Sequence, residues 1–440
     1  KPGSGVYELY RELGTAQASH WPDVTTYGRF VDEASGRTLL VTTDLQRLRS
    51  DLHALFPGDG RLIDSLVDNS LATRGLGWDT LGMGEPPELT PPLDTLKMMW
   101  GLRSYLRFFV GRAARPAAEY AQQASDPWLR WIIANLFLPE APAWFLFMVL
   151  GMLAGGKVGL LESGSLGFVL PIEKRYKALG GQVTYQATVE QILVEEGRAV
   201  GVRLVDGSEH RAGAVISAAD GYSTLFGMLG DRYVDAKTQE RFETWPLIRP
   251  AVMVSLGVDR DLSDVPWLFM IKLQEPILVG EEAIEQITLR VFNYSDRFAP
   301  PGKTVLQASF ETTWDHWSGL REAGEADYRA EKERVAAEVI ERLETQFHGL
   351  SAQVEMTDVA TPYTTWRYTR NHRGAYMGWL PTPRALLTTL PRTLPGLADF
   401  TMAGQWVLPG GGVPPSLFSG RHAIQLLCRR DGRPFVRSVA

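Results

Sequence analysis

Between residues 44 and 155 the apolar positions recur every three or four residues, and beyond Gly155 they begin to alternate. In "TDLQRLRSDLHALFPGD", Leu45, Leu48, Leu52 and Leu55 share one face, Asp44 stands at the N-cap position and Pro57 stops the run, which predicts a helix. "RLIDSLVDNSL" predicts a second, shorter helix. "TPPLDTLKMMWGLRSYLRFFVGRAARPAAEYAQQ" predicts a longer one, opened by Pro91 and Pro92 and interrupted near Gly111 and Pro116. With "PWLRWIIANLFLPE" and "APAWFLFMVLGMLAGG", this makes residues 44–155 a helical block.

The later pattern is that of an α/β unit. "SGSLGFVLPIEKRYKALGG" reads as a turn, a helix and a glycine stop at Gly180 and Gly181. Val183, Tyr185, Ala187 and Val189 alternate along a strand, and "EEGR" and "DGS" mark hairpin turns. "GAVISAAD" predicts a buried strand ending in a loop. Residues 250–310 hold "AVMVSLGVDR", "WLFMIKL", "QITLRVFNYS" and "TVLQASFETTW", which predict an antiparallel sheet. A long amphipathic helix follows, with Val335, Val339, Leu343 and Phe347 inward. "TPYTTWRYTRNHRGAYMGWLPTP" is aromatic and poor in helix formers, a composition that suits a pocket wall or a surface loop. Finally a strand from Phe400 runs into "AGQWVLPGGGVPPSLFSGRHA", where a helix is expected near Ser416.

At 440 residues, two domains are expected. The net charge of −6 offers no basic stripe for nucleic acid. A single cysteine, Cys428, excludes an intrachain disulfide and suits a reducing, cytoplasmic setting. The opening "KPGSGVYELYRELG" has neither the charged nor the apolar region of a signal peptide. No stretch reaches the roughly 18–20 apolar residues of a membrane span. Residues 141–156 come nearest, and two readings stand for them: a pair of buried helices with 127–140, or an apolar lip for peripheral membrane contact or a greasy substrate. The seven histidines lack metal-ligand spacing, so no metal is expected.

A strand, a glycine turn and a helix N-terminus together present free amides and the positive end of a helix dipole to a ligand. A phosphate suits such a site, as does the pyrimidine edge of a flavin ring, which gains negative charge on reduction. Pro414 and Pro415 fit the first helical positions, where no N–H is needed. The same pattern also serves as a structural loop before a packing helix. The chain contains no G-x-G-x-x-G, Walker loop, H-E-x-x-H or G-x-S-x-G. No catalytic residue stands out.

"GGQVTYQATVEQILVEEGRAVGVRLVDGSEHRAGAVISAADGYSTLFGML" resembles the middle FAD-domain segment of the phytoene desaturase and carotenoid isomerase flavoproteins, within the amine-oxidase-like superfamily. "AGQWVLPGGGVPPSLFSGRHAIQLL" resembles that group's C-terminal flavin motif. The resemblance implies an α/β FAD-binding domain, Rossmann-like and incomplete at its N-terminus, interleaved with an α+β substrate domain that holds an antiparallel sheet and the helical block. The implied boundaries are a junction at 1–43, the helical block at 44–155, FAD-domain segments at 156–232 and 395–440, and the remaining substrate domain at 233–394.

By residue, the resemblance implies adenine pairing at the Val189 backbone and a cofactor cleft lined by Ser217, Ala218 and Ala219. Gly404 and Gln405 would lie beside the ribityl and pyrophosphate groups, and Gly411, Gly412, Val413 and Pro414 would face the flavin pyrimidine. Gln405 stands where many superfamily members carry an acid. The group's opening strand, G-x-G-x-x-G and helix would lie upstream of the position matched by Lys1, so this chain alone is expected to bind FAD weakly or not at all. The implied reaction is desaturation, saturation or isomerisation of a hydrophobic polyene or isoprenoid. Two alternatives remain: an amine or amino-acid oxidase, for which Trp366, Arg367, Tyr368 and Trp379 are candidates, and a catalytically silent lipid-binding protein.

Overall fold

Alternating apolar residues lay out two separate sheet systems, which the chain visits in turn. The computed structural model describes residues 5–18, 21–77, 81, 83–386 and 388–437, so the Lys1 position lies outside the described residues. In chain order the strands are β1 Thr26–Asp32, β2 Arg37–Thr42, β3 Val189–Glu195, β4 Arg198–Leu204, β5 Glu209–Arg211 and β6 Val215–Ser217. There follow β7 Ala251–Val258, β8 Leu268–Val279, β9 Glu282–Val291, β10 Thr304–Glu311, β11 Val354–Ala360 and β12 Phe400–Met402.

The large sheet has the order β11-β7-β10-β9-β8-β1-β2. Its pairs are antiparallel except β1 with β8, so the expected antiparallel sheet becomes mixed when the N-terminal strand joins it. One face packs on the helix Glu325–Gln346 through Val335, Val339 and Leu343, with Phe347 at its C-cap. The other meets the helical block, whose core joins Phe30 and Met270 of the sheet to Leu48, Leu66, Trp128 and Phe147. Trp131 Nε1 donates to Gln286 Oε1 across that boundary at 2.8 Å.

The second system is smaller. β6 and β12 pair in parallel, and β3, β4 and β5 form an antiparallel sheet. The two are stitched where the Ala199 amide donates to Ala398 O and the Ala398 amide to Gly197 O. Ile192, Leu225, Phe400, Met402 and Val407 share the resulting core.

Several expectations are corrected. The alternation from Val183 does not make a strand until Val189: Gln186 adopts a left-handed φ of 55°, and Val183 and Tyr185 are exposed. β6 spans three residues only, and Ile216 is exposed rather than buried. The long helix after Pro91 ends at Gly101 and continues as short 3₁₀ turns, well before Gly111. The aromatic segment begins with a true helix, Pro362–Thr369, because Thr361 and Thr364 form a reciprocal capping box. The final helix starts at Val413, three residues before Ser416.

The run at 141–156 resolves into the helix Ala143–Ala154, nearly all of it buried, so its lip reading falls. Phe147 packs edge-on against Phe108 and Tyr120. Gly151 allows the contact with the helix Gly60–Ala72, since a Cβ there would stand 2.6 Å from Ser70 O.

Candidate functional site

The two parallel strands end together, and the glycine segment leaves from that end. The Ala403 amide donates to Ser217 O at 2.8 Å, so Ala218 and Gly404 emerge side by side. A Cβ on Gly404 would meet Ala218 O at 3.8 Å, ordinary van der Waals contact, so the two chains run close together here. Ala218 and Ala219 are exposed there. Ser217 differs: its hydroxyl is buried against Thr224 Oγ1 at 2.8 Å and its carbonyl is held by the Ala403 amide, so it borders this edge through its backbone and offers no side chain to it. The Gly404 amide is held by Ser419 Oγ at 2.6 Å, which ties the turn to the last helix.

The chain returns through Gly410, Gly411 and Gly412, all with left-handed φ. At Gly411 a Cβ would fall 2.2 Å from Met377 Sδ, whereas at Gly412 the nearest atom is Pro414 Cδ at 4.0 Å. Gly411 is thus wedged beneath Met377, and Gly412 faces open space. Gly412 is the N-cap of the helix Val413–Arg430 and supplies no side chain to cap it. Pro414 and Pro415 have no N–H, so of the first three helical residues Val413 alone can donate. The positive end of an 18-residue helix therefore opens beside an uncapped amide.

Gln405 is half-buried, with its carbonyl against Gly378. The next residue, Trp406, packs on Gly221 and stacks with Phe242, and its carbonyl accepts from Trp379 Nε1 at 3.2 Å. Val189 opens β3, opposite Leu204 of β4. Because β4 runs parallel to the chain at Ala398, Val189 and Leu204 lie toward the same end of the unit as Gly404. These residues fit a flavin: a side chain at the exposed Gly412 would fill the space before the helix, and among the described residues no side chain caps the helix start at Val413.

Other groups frame this edge without having stood out in sequence. Asp220, directly after "ISAA", is buried and accepts from the Ser223 amide at 2.8 Å and the His372 amide at 3.0 Å. It joins the small unit to the aromatic segment. His372 stacks on Tyr222, and burial holds its pKa below the usual imidazole range despite the nearby Asp220 carboxylate. Burial, with a smaller push from Glu311, raises the Tyr376 hydroxyl to about 12. The only local signal for Met377 was a thioether inside an aromatic run, and for Ser419 a hydroxyl two turns into the helix. Neither has a spacing that predicts its partner.

Trp366, Arg367, Tyr368 and Trp379 do not converge. The first three line an outer cleft with Arg321 and Lys332, while Trp379 belongs to the cluster around Trp406 and Trp245. Among the described residues there is no group of three or more metal-ligating side chains.

Residues 3–427 match the family model described as flavin containing amine oxidoreductase. A chloroplastic prolycopene isomerase of Arabidopsis thaliana is 32% identical over 248 residues, covering 55% of this chain and 40% of the isomerase. The corresponding protein of Daucus carota is 32% identical over 273 residues, covering 60% and 42%. The matched stretch thus spans about two-fifths of those relatives' length. A neurosporene-forming phytoene desaturase of Cereibacter sphaeroides is 24% identical over 455 residues, covering 96% of this chain and 81% of the desaturase. Among solved structures, a putrescine oxidase redesigned in its cofactor binding superposes with a TM-score of 0.56 at 12% identity, covering 97% of this chain and 87% of its own. That likeness concerns the fold.

Proposed function

This chain belongs to the flavin containing amine oxidoreductase family, and from that premise we propose that it acts as an FAD-dependent desaturase, saturase or isomerase of a hydrophobic polyene or isoprenoid. The observation that carries the reading is the uncapped start of the helix Val413–Arg430, reached through a Gly412 that faces open space. The relatives' printed activities on carotenoids support the substrate class, and the scattered positions of Trp366 and Trp379 disfavour an amine cage.

In this reading Gly411, Gly412, Val413 and Pro414 hold the pyrimidine edge, with the Val413 amide donating toward it. Gly404 and Gln405 flank the ribityl chain; a glutamine amide can hydrogen-bond a hydroxyl there as an acid would. Ala218 and Ala219, with the Ser217 backbone, line the cleft, and the Val189 backbone receives the adenine. Residues 156–232 and 395–440 form the FAD-binding part, interleaved with 44–155 and 233–394, and 1–43 is the junction. When bound, the flavin supplies the redox chemistry, and the protein supplies orientation and a dry environment. The chain carries no G-x-G-x-x-G, so that kind of pyrophosphate contact does not come from residues 1–440, and FAD affinity of this chain alone is expected to be weak. Peripheral membrane contact belongs to the same reading, as the route by which an insoluble polyene arrives.

The test is anaerobic mixing of the flavin-loaded, full-length protein with a poly-cis polyene and, separately, with primary amines. Bleaching of the oxidised flavin or a change of polyene isomer, with no response to amines, is the expected result. Bleaching by amines alone overturns the proposal.

A further inference from the structure

We infer that residues 91–110 dock the protein on the surface of an anionic lipid bilayer. This deepens the peripheral contact proposed above and rests on it, but not on the polyene chemistry.

The helix Pro92–Gly101 contains no buried residue, although its sequence is "PLDTLKMMWG". Leu93 and Leu96 are each 63% exposed, Met99 55% and Trp100 70%. Leu93, Leu96 and Trp100 follow i, i+3, i+7 spacing and so form one stripe. The 3₁₀ turns that follow continue it with Leu106 at 49% and Val110 at 64%. Phe108 is buried in the helical block and anchors the segment to the body. Isolated exposed apolar residues are ordinary, but six within one short segment are a patch.

Charge identifies what covers it. Residues 91–110 carry Lys97, Arg103 and Arg107 against Asp94, and Lys97 pairs with Asp94 at 2.8 Å, so Arg103 and Arg107 leave the segment positive in a chain whose net charge is −6. The local sign is therefore opposite to that of the whole. Arg103 lies 4.9 Å over the Trp100 ring, against the exposed stripe itself, and Arg107 4.7 Å over Phe108, which anchors it. Leucine and tryptophan on one side with arginine and lysine beside them is the composition of a helix that lies in the interface plane. Basic side chains can keep their heads at the phosphates while their stems cover hydrocarbon. Among the described residues no helix is long and apolar enough to cross a membrane, so the contact is with one leaflet.

The test is flotation of the full-length protein with vesicles of phosphatidylcholine and of phosphatidylcholine mixed with phosphatidylglycerol. The wild type is expected to float with the mixed vesicles, less with the neutral ones, and less again as salt rises. The double variant Leu96→Glu, Trp100→Glu should lower partitioning at least about tenfold, and Arg103→Glu with Arg107→Glu by roughly fivefold per charge reversed. Leu179→Glu, at the exposed end of another helix, should leave flotation unchanged. Absence of any flotation overturns both the docking surface and the peripheral contact. Equal binding to neutral vesicles overturns the anionic partner. Flotation abolished by Leu179→Glu but not by the double variant overturns the surface alone. A dimer by light scattering that Trp100→Glu dissociates assigns the patch to a second copy instead. None of these readings uses substrate, so a failed polyene assay leaves the docking question decided by flotation.

Discussion

The helices Ala143–Ala154 and Pro92–Gly101 are both rich in large apolar residues, yet the first is almost wholly buried and the second has no buried residue. The first is charge-free and has Gly151 to let another helix approach. The second interleaves Asp94 and Lys97 and leads into Arg103 and Arg107. The buried run is both the more apolar and free of charge, whereas the run that faces outward shares its turns with ionised side chains. A run with no ionised side chain can be buried on all sides, whereas one that carries cations must keep a face near water or phosphate.

The contrast has consequences for stability that can be ranked. Phe147→Ala should cost about 3–5 kcal/mol, read as a fall in the urea midpoint, because the ring is fully buried between Phe108 and Tyr120. A cost below 1 kcal/mol would mean the first helix is not core. A buried polar group sharpens the comparison. His422 is buried and donates from Nε2 to Met83 O at 2.9 Å; burial, then Arg392, lowers its pKa to about 4. The unfolded imidazole protonates near pH 6.5 and the folded one only near 4, so stability is full above pH 6.5 and declines as pH falls between those values. The loss by pH 4 should approach roughly 3 kcal/mol, and urea titrations of His422→Gln should lack that component.

Smaller effects follow at exposed positions. Gly412→Ala should cost about 1–3 kcal/mol from its backbone alone, because φ 78° with ψ −175° is essentially confined to glycine, and should also abolish flavin retention in the full-length protein. Normal flavin content in that variant would break the cradle assignment. Trp100→Ala should change stability by less than about 0.5 kcal/mol in the same urea experiment. A larger loss would show that the second helix is packed after all.

Much of this fold was legible because local signals agreed with tertiary structure. Asp44 caps its helix as its position predicts, and Leu45, Leu48 and Leu52 turn inward together. Glu196 and Gly197 make the hairpin that "EEGR" announces, both with positive φ. Legibility failed where a long-range partner decided the outcome. Val183 and Tyr185 alternate as a strand does, but no strand among the described residues pairs with them. β1 joins β8 in parallel, a pairing that no local pattern encodes. The glycine turn was visible as composition, but the wedge of Met377 over Gly411 and the hold of Ser419 on Gly404 depend on chain segments brought together only in space.

The pairing of β1 with β8 also bears on synthesis. Trp267 Nε1 donates to Thr26 O across 241 residues of chain, and Val6 and Leu9 pack on Phe418 near the opposite terminus. In a nascent polypeptide one edge of β1 can pair at once with β2, but its other edge must wait for β8, and the helix Gly5–Glu12 must wait for Phe418. Translation order and assembly order are thus uncoupled. Chaperone dependence during production, rather than low final stability, is the trait this topology imposes.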